Sequence, residues 1–410
     1  MTDWKNLLLV PRFRALWIAL VCVNLGSWCF LVALPVLVAF RFGAGTALVV
    51  SLAWRIVPKI LLAPASGVML RRYGAPRVVG VALVAEGAVV AGLPWCQDFT
   101  ILQLLLACIG ALDVFVMPGL LSMRSVVTPA GFELAANALC SMADRMGKTI
   151  GPALGGLAIA VGFEPAFLAF GLVTALASWL VARLPRVARP ASAAGYTLQR
   201  MPLEFWAMLR GDPALSGLLI CAVSYMVLMG GLRPFLFWAN RDWFGAADSA
   251  WTGLMVAQGV GAVTGALLAA TFNRALLRHM SAFSLTMLTG MMEGVLDLAL
   301  LLCPGGETGA WMAMGLLALA GIPEVISTAA WFTAMQQRLP PERQAVFFAF
   351  SAPLWDCAFA MGVMSASLHT VGLLGLGPWW ALLALTATLP LLPLLMLDAR
   401  RVRKNVRALP

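Results

Sequence analysis

Residues 110–144 read GALDVFVMPGLLSMRSVVTPAGFELAANALCSMAD, and residues 321–356 read GIPEVISTAAWFTAMQQRLPPERQAVFFAFSAPLWD. Each opens with Gly-x-x-acid-Val in an apolar run, breaks at a hydrophilic Pro-containing turn, enters a second apolar run and ends on Asp. The intervals from Asp113 to Asp144 and from Glu324 to Asp356 differ by one residue, and Pro129 and Pro340 fall at matching places in the breaks. An echo of this kind marks an internally duplicated chain. It also sets carboxylates inside apolar segments, where a bilayer makes charge expensive.

The rest of the chain is equally apolar. Of its 410 residues 61% are hydrophobic and 11% charged, and the mean hydropathy is +0.91. Soluble domains carry charge at about a quarter of their positions. A spanning helix needs about 20 apolar residues. Twelve stretches qualify: 15–40, 46–70, 77–95, 100–122, 135–160, 164–183, 214–238, 250–272, 281–302, 310–333, 345–369 and 375–397. The N-terminal MTDWKNLLLVPRFRALW has a basic region, but the apolar stretch after it is too long for a signal-peptide core and no small-residue cleavage site follows.

A net charge of +10 would suit a nucleic-acid partner, but its placement argues against one. Lys5, Arg12, Arg14, Arg71, Arg72, Arg77, Arg124, Arg274, Arg278, Arg338, Arg343 and the tail Arg400, Arg401, Arg403, Lys404 and Arg407 all fall on one side of the spans; the opposite loops hold Arg41 and Arg241. By the positive-inside rule both termini are expected in the cytoplasm. The eight cysteines stand singly and behave as small hydrophobes, although Cys96 and Cys303, near outer span ends, could pair. His279 and His369 are far apart and give no metal-ligand spacing, so no metal site is expected.

The longest hydrophilic segment, 184–212, separates an N-terminal six-helix bundle (1–183) from a C-terminal one with a basic tail (213–410). It is Pro/Ala-rich at first and then amphipathic, which predicts a surface helix around Leu203 to Leu209. The opening spans of the two halves align without gaps, matching Ala15 with Ala214, Cys22 with Cys221 and Pro35 with Pro234. The predicted fold is an all-α membrane protein of two pseudo-symmetric six-helix bundles with a site near the midplane between them.

On these residues the chain resembles the major facilitator superfamily over nearly its whole length. The loop GVMLRRYGAPR is similar to that superfamily's Gly-x-x-x-Asp-Arg-x-Gly-Arg signature: Gly67, Arg72 and Gly74 match, while Arg71 replaces the Asp and Ala75 the last Arg. GKTIGPALGG resembles the G-x-x-x-G-P-x-x-G-G core of the proton-coupled exporters through Gly147, Gly151, Pro152, Gly155 and Gly156. Ala138 stands where that motif has a further Gly, and Leu106 where those exporters have an Arg in the fourth span. The glycine row predicts a close helix approach, either static packing or a smooth surface over which the halves rock.

The predicted spans enclose the bases Arg55, Lys59, Arg145, Lys148 and Arg233 and the acids Glu86, Asp113, Asp144, Glu293, Asp297, Glu324 and Asp356. Arg55 and Lys59 share a helix face at i, i+4. Lys59 lies eleven residues from Leu70, or roughly 16 Å along a helix. Both are expected either to face a cavity and bind substrate or to bridge to Asp113 or Asp144. Asp144 and Lys148 can neutralise each other or contribute to that site. Arg145 points elsewhere, and its expected partner in a proton-linked pair is Asp113.

The resemblance implies that spans 4, 10 and 11 line the cavity, which favours Asp113, Glu324 and Asp356 as proton-coupling residues. It also implies that spans 3 and 9 are peripheral, so Glu86, Glu293 and Asp297 are expected to be hydrogen-bonded within a bundle or protonated. Arg233 lies close enough to the end of its span to snorkel. Trp28 and Trp331 are candidates to stack on substrate, as are Trp54, Tyr225 and Trp355.

The implied activity is alternating-access secondary transport, with proton-coupled efflux of a small polar or amphiphilic compound, a carboxylate siderophore or drug-like metabolite, as the expectation. Uptake or movement of a lipid-like molecule by the same fold is the alternative. A membrane-embedded enzyme or a receptor would need clustered catalytic groups or a signalling domain, which the sequence lacks. No nucleotide-binding loop occurs, so no cofactor is expected beyond substrate, protons and lipid. A monomer in a bacterial inner membrane is the expected setting.

Overall fold

The computed structural model describes residues 3–43, 46–185, 200–245 and 251–395. The Pro/Ala-rich part of the predicted linker and the basic tail lie outside the described residues.

Among the described residues every regular element is helical. The N-terminal half comprises α1 (Asp3–Leu9), α2 (Pro11–Phe42), α3 (Thr46–Tyr73), α4 (Ala75–Gly92), α5 (Phe99–Val127), α6 (Glu133–Val161) and α7 (Phe163–Ala182). After the connection come α8 (Arg200–Gly211), α9 (Pro213–Trp238), α10 (Trp251–Thr271), α11 (Asn273–His279), α12 (Ala282–Ala299), α13 (Glu307–Arg338), α14 (Pro341–Ser365), α15 (Ser367–Thr370) and α16 (Leu376–Thr388). Ten of the helices are long and apolar enough to cross a bilayer. Thr46–Tyr73 and Glu133–Val161, at 28 and 29 residues, have the length and carry Arg55, Lys59, Asp144, Arg145 and Lys148 in their middles.

Local chemistry sets where the helices begin. The Asp98 carboxylate accepts from the Ile101 amide at 2.9 Å, Asp212 from Ala214 at 3.0 Å and Ser281 from Ser284 at 3.0 Å, which caps α5, α9 and α12. Gly74 takes a φ of +86° at the sharp break between α3 and α4, a backbone conformation that glycine adopts without strain. Pro129 lies in the turn between α5 and α6, and Pro340 caps α14, so the matching prolines of the echo occupy matching breaks. Pro35 and Pro234 lie inside α2 and α9.

The two halves pack alike. In the first, α2 lies against α6 and α7, and α5 against α3 and α4; in the second, α9 lies against α14 and α16, and α13 against α10 and α12. Between halves, α6 meets α10 and α13 while α14 meets α3 and α5. Exchanging the halves maps one pair of contacts onto the other, as a pseudo-twofold axis requires. The expected surface helix is α8; its Met201, Phe205, Met208 and Leu209 are buried in a cluster with α9, α13 and α14.

Two possibilities raised by the sequence do not occur. Cys96 and Cys303 are both free thiols. The Gly147, Gly151 and Gly155 row packs within its own half: a Cβ at these positions would lie 2.7 Å from the Asn24 Cβ, 2.5 Å from the Trp28 Cβ and 2.8 Å from the Cys29 carbonyl, all on α2. It therefore locks α6 to α2 and is not a sliding surface between halves. Pro152 lies within α6, and Gly156 faces open space, away from that contact. Among the described residues a tight glycine contact between halves is made by Gly259 of α10, where a Cβ would stand 2.6 Å from the Thr149 hydroxyl.

Candidate functional site

The repeated glycine and the acid three residues beyond it do the same work in both halves. A Cβ on Gly110 would run into the Arg55 carbonyl of α3, and one on Gly321 into the Gln258 carbonyl of α10. Glycine is what permits the approach. A residue three positions along shares the glycine's face. Asp113 thus meets the Arg55 guanidinium at 3.5 Å, and Glu324 accepts from the Gln258 amide at 3.2 Å. Arg55 and Gln258 are structural counterparts, although one is charged and the other is not.

Two ionic clusters grow from these acids, and both cross the interface. In the first, the Lys59 ammonium lies 2.9 Å from Asp113 of its own half and 3.4 Å from Asp356 of the other. Asp113 is buried, whereas the Asp356 side chain is 47% exposed. The Arg55 guanidinium also stacks over the Phe30 ring at 5.1 Å. This realises the bridging alternative for Arg55 and Lys59 and adds a partner across the halves.

In the second cluster Arg145 of α6 pairs with Glu324 of α13. The Tyr225 hydroxyl of α9 accepts from Arg145 at 2.8 Å and donates to Glu324 Oε1 at 2.5 Å. Glu324 has no exposed surface, so its charge is met entirely by side chains from α6, α9 and α10. The expected Arg145–Asp113 pair does not form. Asp113 is already satisfied by Arg55 and Lys59 on α3, and Arg145 turns to the other half.

Asp144 and Lys148 form the expected i, i+4 pair at 2.7 Å. Trp28 lies under two cations, the Lys148 ammonium at 5.9 Å and the Arg233 guanidinium at 4.6 Å. Arg233 therefore stacks on an aromatic face of the other half. Trp331 is fixed differently: its indole donates to the Leu218 carbonyl at 2.7 Å, and its ring packs on Phe332 and Trp355.

A third set of contacts latches the halves at the Arg-rich end. Ser125 donates to the Gln344 side-chain carbonyl at 2.9 Å, and Asn137 donates to Thr333 and Gln336 at 3.1 and 2.9 Å. The Arg124 guanidinium lies over the Phe332 ring at 4.5 Å. A Cβ on Gly67 would stand 3.5 Å from both Ala349 and Met201, so this glycine marks the contact with α14 and α8. Arg72 stacks on Tyr73 at 5.4 Å, and the ion pair belongs to Arg71, which holds Glu204 of α8 at 3.1 Å. Arg71 stands where the superfamily signature has an acid, and it finds its acid on the connection. Toward the opposite end, between α2 and α9, the Trp28–Arg233 stack joins the halves.

Several participants escape a reading by charge and span number. Gln258 is a neutral amide in an apolar run, and Tyr225, a candidate to stack on substrate, bridges an ion pair through its hydroxyl. Glu293 and Asp297 of α12 were expected to be hydrogen-bonded within the bundle or protonated. Both are buried, and Glu293 Oε1 and both Asp297 oxygens lack a hydrogen-bond partner.

No curated protein matches the chain in sequence. Among solved structures it is similar to the human organic anion transporter MFSD10 (TETRAN), at 16% identity and a TM-score of 0.76, with 94% of this chain and 99% of that one covered. It is similar to the fucose:proton symporter FucP of E. coli at 11% identity and a TM-score of 0.74, covering 94% and 98%. A bacterial homologue of the iron transporter ferroportin, outward-facing, aligns at 13% identity and a TM-score of 0.72, covering 95% and 98%. Identities this low carry the fold alone. The family model of the Major Facilitator Superfamily matches residues 16–363, across both halves and every ionic cluster described above, and the chain belongs to that superfamily: it is a multi-pass membrane transporter and not an enzyme.

Proposed function

We propose that the chain is a proton-coupled alternating-access transporter, exporting a small polar or amphiphilic compound, in which the two cross-half clusters respond to protonation. The observation that carries the reading is the fully buried Glu324 held by Arg145 from the opposite half. A proton on Glu324 removes the charge that holds Arg145, and one on Asp113 does the same for Lys59 and Arg55. The first event loosens a mid-depth tie between halves that are otherwise latched at the Arg-rich end, and the second frees Lys59, which also reaches Asp356 of the other half. Low dielectric makes such a switch strong.

The cargo follows from the charges that remain in reach. Lys59, Lys148 and the half-exposed Asp356 present both signs between the halves. A zwitterion, or a carboxylate with further polar groups such as a carboxylate siderophore, meets complementary charge there. Trp28 adds an aromatic face. We place the Arg-rich end and both termini in the cytoplasm of a bacterial inner membrane, with the monomer as the working unit.

Proteoliposomes with an imposed pH gradient, assayed with a panel of labelled carboxylates, zwitterions and drug-like compounds, test the reading. Substrate movement should follow the gradient in the wild type and lose that dependence in Asp113→Asn and Glu324→Gln. Full coupling in both variants would remove these acids from the mechanism. Uptake is the second reading. It uses the same clusters with the opposite coupling, and it is distinguished by the sign of the gradient that drives accumulation.

A further inference from the structure

Inside the C-terminal half, residues of α9, α12, α13, α14 and α16 line a pocket that none of the ionic clusters fills. Its walls are largely apolar and aromatic, with Tyr225, Met226, Trp331, Phe332 and Trp355 among them. Its lining holds one carboxylic acid, Glu293 of α12, and no Lys, Arg or His. Glu293 is 4% exposed, and its Oε1 has no hydrogen-bond partner. Asp297, one turn further on, is 1% exposed with both oxygens unpartnered, so a second acid reinforces the first. The Trp355 indole nitrogen is also buried and unpartnered.

No base lines this cavity. The nearby Arg145 is committed to Glu324 and Tyr225. A buried carboxylate without a partner is costly, and native proteins leave few such groups unsatisfied. The partner that would meet an ionised carboxylate here is a cation. It also has to tolerate an aromatic, poorly hydrated wall, which suits a weakly hydrated organic cation over the faces of Trp and Tyr better than a strongly hydrated metal ion.

We propose that this cavity is a binding site for an organic cation, a quaternary or protonated amine carried on an apolar or aromatic body, with Glu293 as its counter-ion. Trp331, Trp355 and Tyr225 supply the aromatic wall. Gly290 keeps the wall of α12 thin there, since a Cβ would lie 3.0 Å from Leu391 and 3.3 Å from the Ser327 hydroxyl. The site lies within one bundle and concerns binding alone, so it stands whether or not transport is coupled to protons.

The test is calorimetric titration of the purified full-length protein with benzyltrimethylammonium, benzoate and benzyl alcohol, which share a ring and differ in charge. The wild type should bind benzyltrimethylammonium, with benzoate weaker by about tenfold or more. Glu293→Gln should weaken the cation by about tenfold or more and leave benzyl alcohol unchanged. Glu293→Asp, which keeps the charge, should retain most of the affinity. Ala222→Phe, which fills the cavity from α9, should abolish binding of both the cation and the alcohol.

Absence of cation binding by the wild type, benzoate binding as tightly as the cation, or wild-type cation affinity in Glu293→Gln would each overturn the proposal. Undiminished affinity in Ala222→Phe would place the ligand elsewhere, and so overturn it too. Should Glu293→Gln fail to fold, Glu293→Asp and Ala222→Phe decide the matter by themselves.

Discussion

Arg145 and Glu324 lie on opposite halves of the pseudo-twofold and form one buried ion pair, closed into a ring by the Tyr225 hydroxyl. Removing one member strands the other in an apolar setting, which costs about 3–5 kcal/mol for a buried pair. Arg145→Leu should therefore lower the unfolding midpoint in detergent by far more than a surface substitution does. Arg145→Leu combined with Glu324→Leu should recover a large part of that loss. Simple addition of the two single losses would show that the residues are not coupled.

The two carboxylates that share Lys59 should differ in weight. Asp113 is buried and also holds Arg55, whereas the Asp356 side chain is 47% exposed. An exposed pair contributes about 0–1 kcal/mol. Thermal unfolding should show Asp356→Asn close to wild type and Asp113→Asn clearly destabilised. The reverse order would mean that Lys59 is held chiefly from the other half.

Glycines separate by what a methyl group would meet. Gly110→Ala and Gly321→Ala press a Cβ onto the carbonyls of Arg55 and Gln258, and Gly151→Ala onto Trp28, so each should lower stability. Overpacking of this sort costs about 1–3 kcal/mol. Gly156→Ala meets nothing within 4 Å and should leave the midpoint within about 0.5 kcal/mol of wild type or slightly above it. Thermal scans of the four variants check the ranking.

The latch at the Arg-rich end should have to open in every cycle. Ser125 and Gln344 touch across the halves at 2.9 Å, so Ser125→Cys with Gln344→Cys should cross-link under oxidation. Transport in proteoliposomes should stop in the oxidised protein and return on reduction. Undiminished transport with the bridge in place would exclude opening at that end.

A charge swap checks the connection. Glu204→Arg sets like charges together at Arg71 and should weaken the docking of α8 on the N-terminal half. Arg71→Glu combined with Glu204→Arg should restore it. Protease accessibility of the connection reports both states, and equal cleavage in all three proteins would deny the pair a role.

Much of this molecule is local and therefore legible in sequence. The spans of 100–122, 135–160 and 310–333 reappear as Phe99–Val127, Glu133–Val161 and Glu307–Arg338, with ends set by caps and prolines beyond the apolar core. The surface helix near Leu203 and the Asp144–Lys148 pair follow from amphipathic pattern and i, i+4 spacing. The short helices α1, α11 and α15 carry too little apolar sequence to be read as spans.

The partners of Arg145, Lys59 and Glu293 are another matter. A helix in lipid is apolar on nearly every face, because acyl chains are as apolar as a packed interior, so periodicity does not reveal which way it is turned. Arg145 was expected to find Asp113, since both lie in the same half; rotation of α6 toward α13 gave it Glu324 instead. Glu293 was expected to be hydrogen-bonded within a bundle or protonated, and the packing of α12 left it facing a cavity with no hydrogen-bond partner at Oε1.

By itself the sequence determined the duplication, the spans, the breaks between them and which buried positions carry charge, because these depend on residues near one another in the chain. Only the tertiary structure decided which charge meets which, that Gly110 and Gly321 serve the same approach, and that Glu293 and Asp297 are buried with oxygens that have no hydrogen-bond partner. Those outcomes depend on the rotation and close contact of helices far apart in sequence, which no local pattern records.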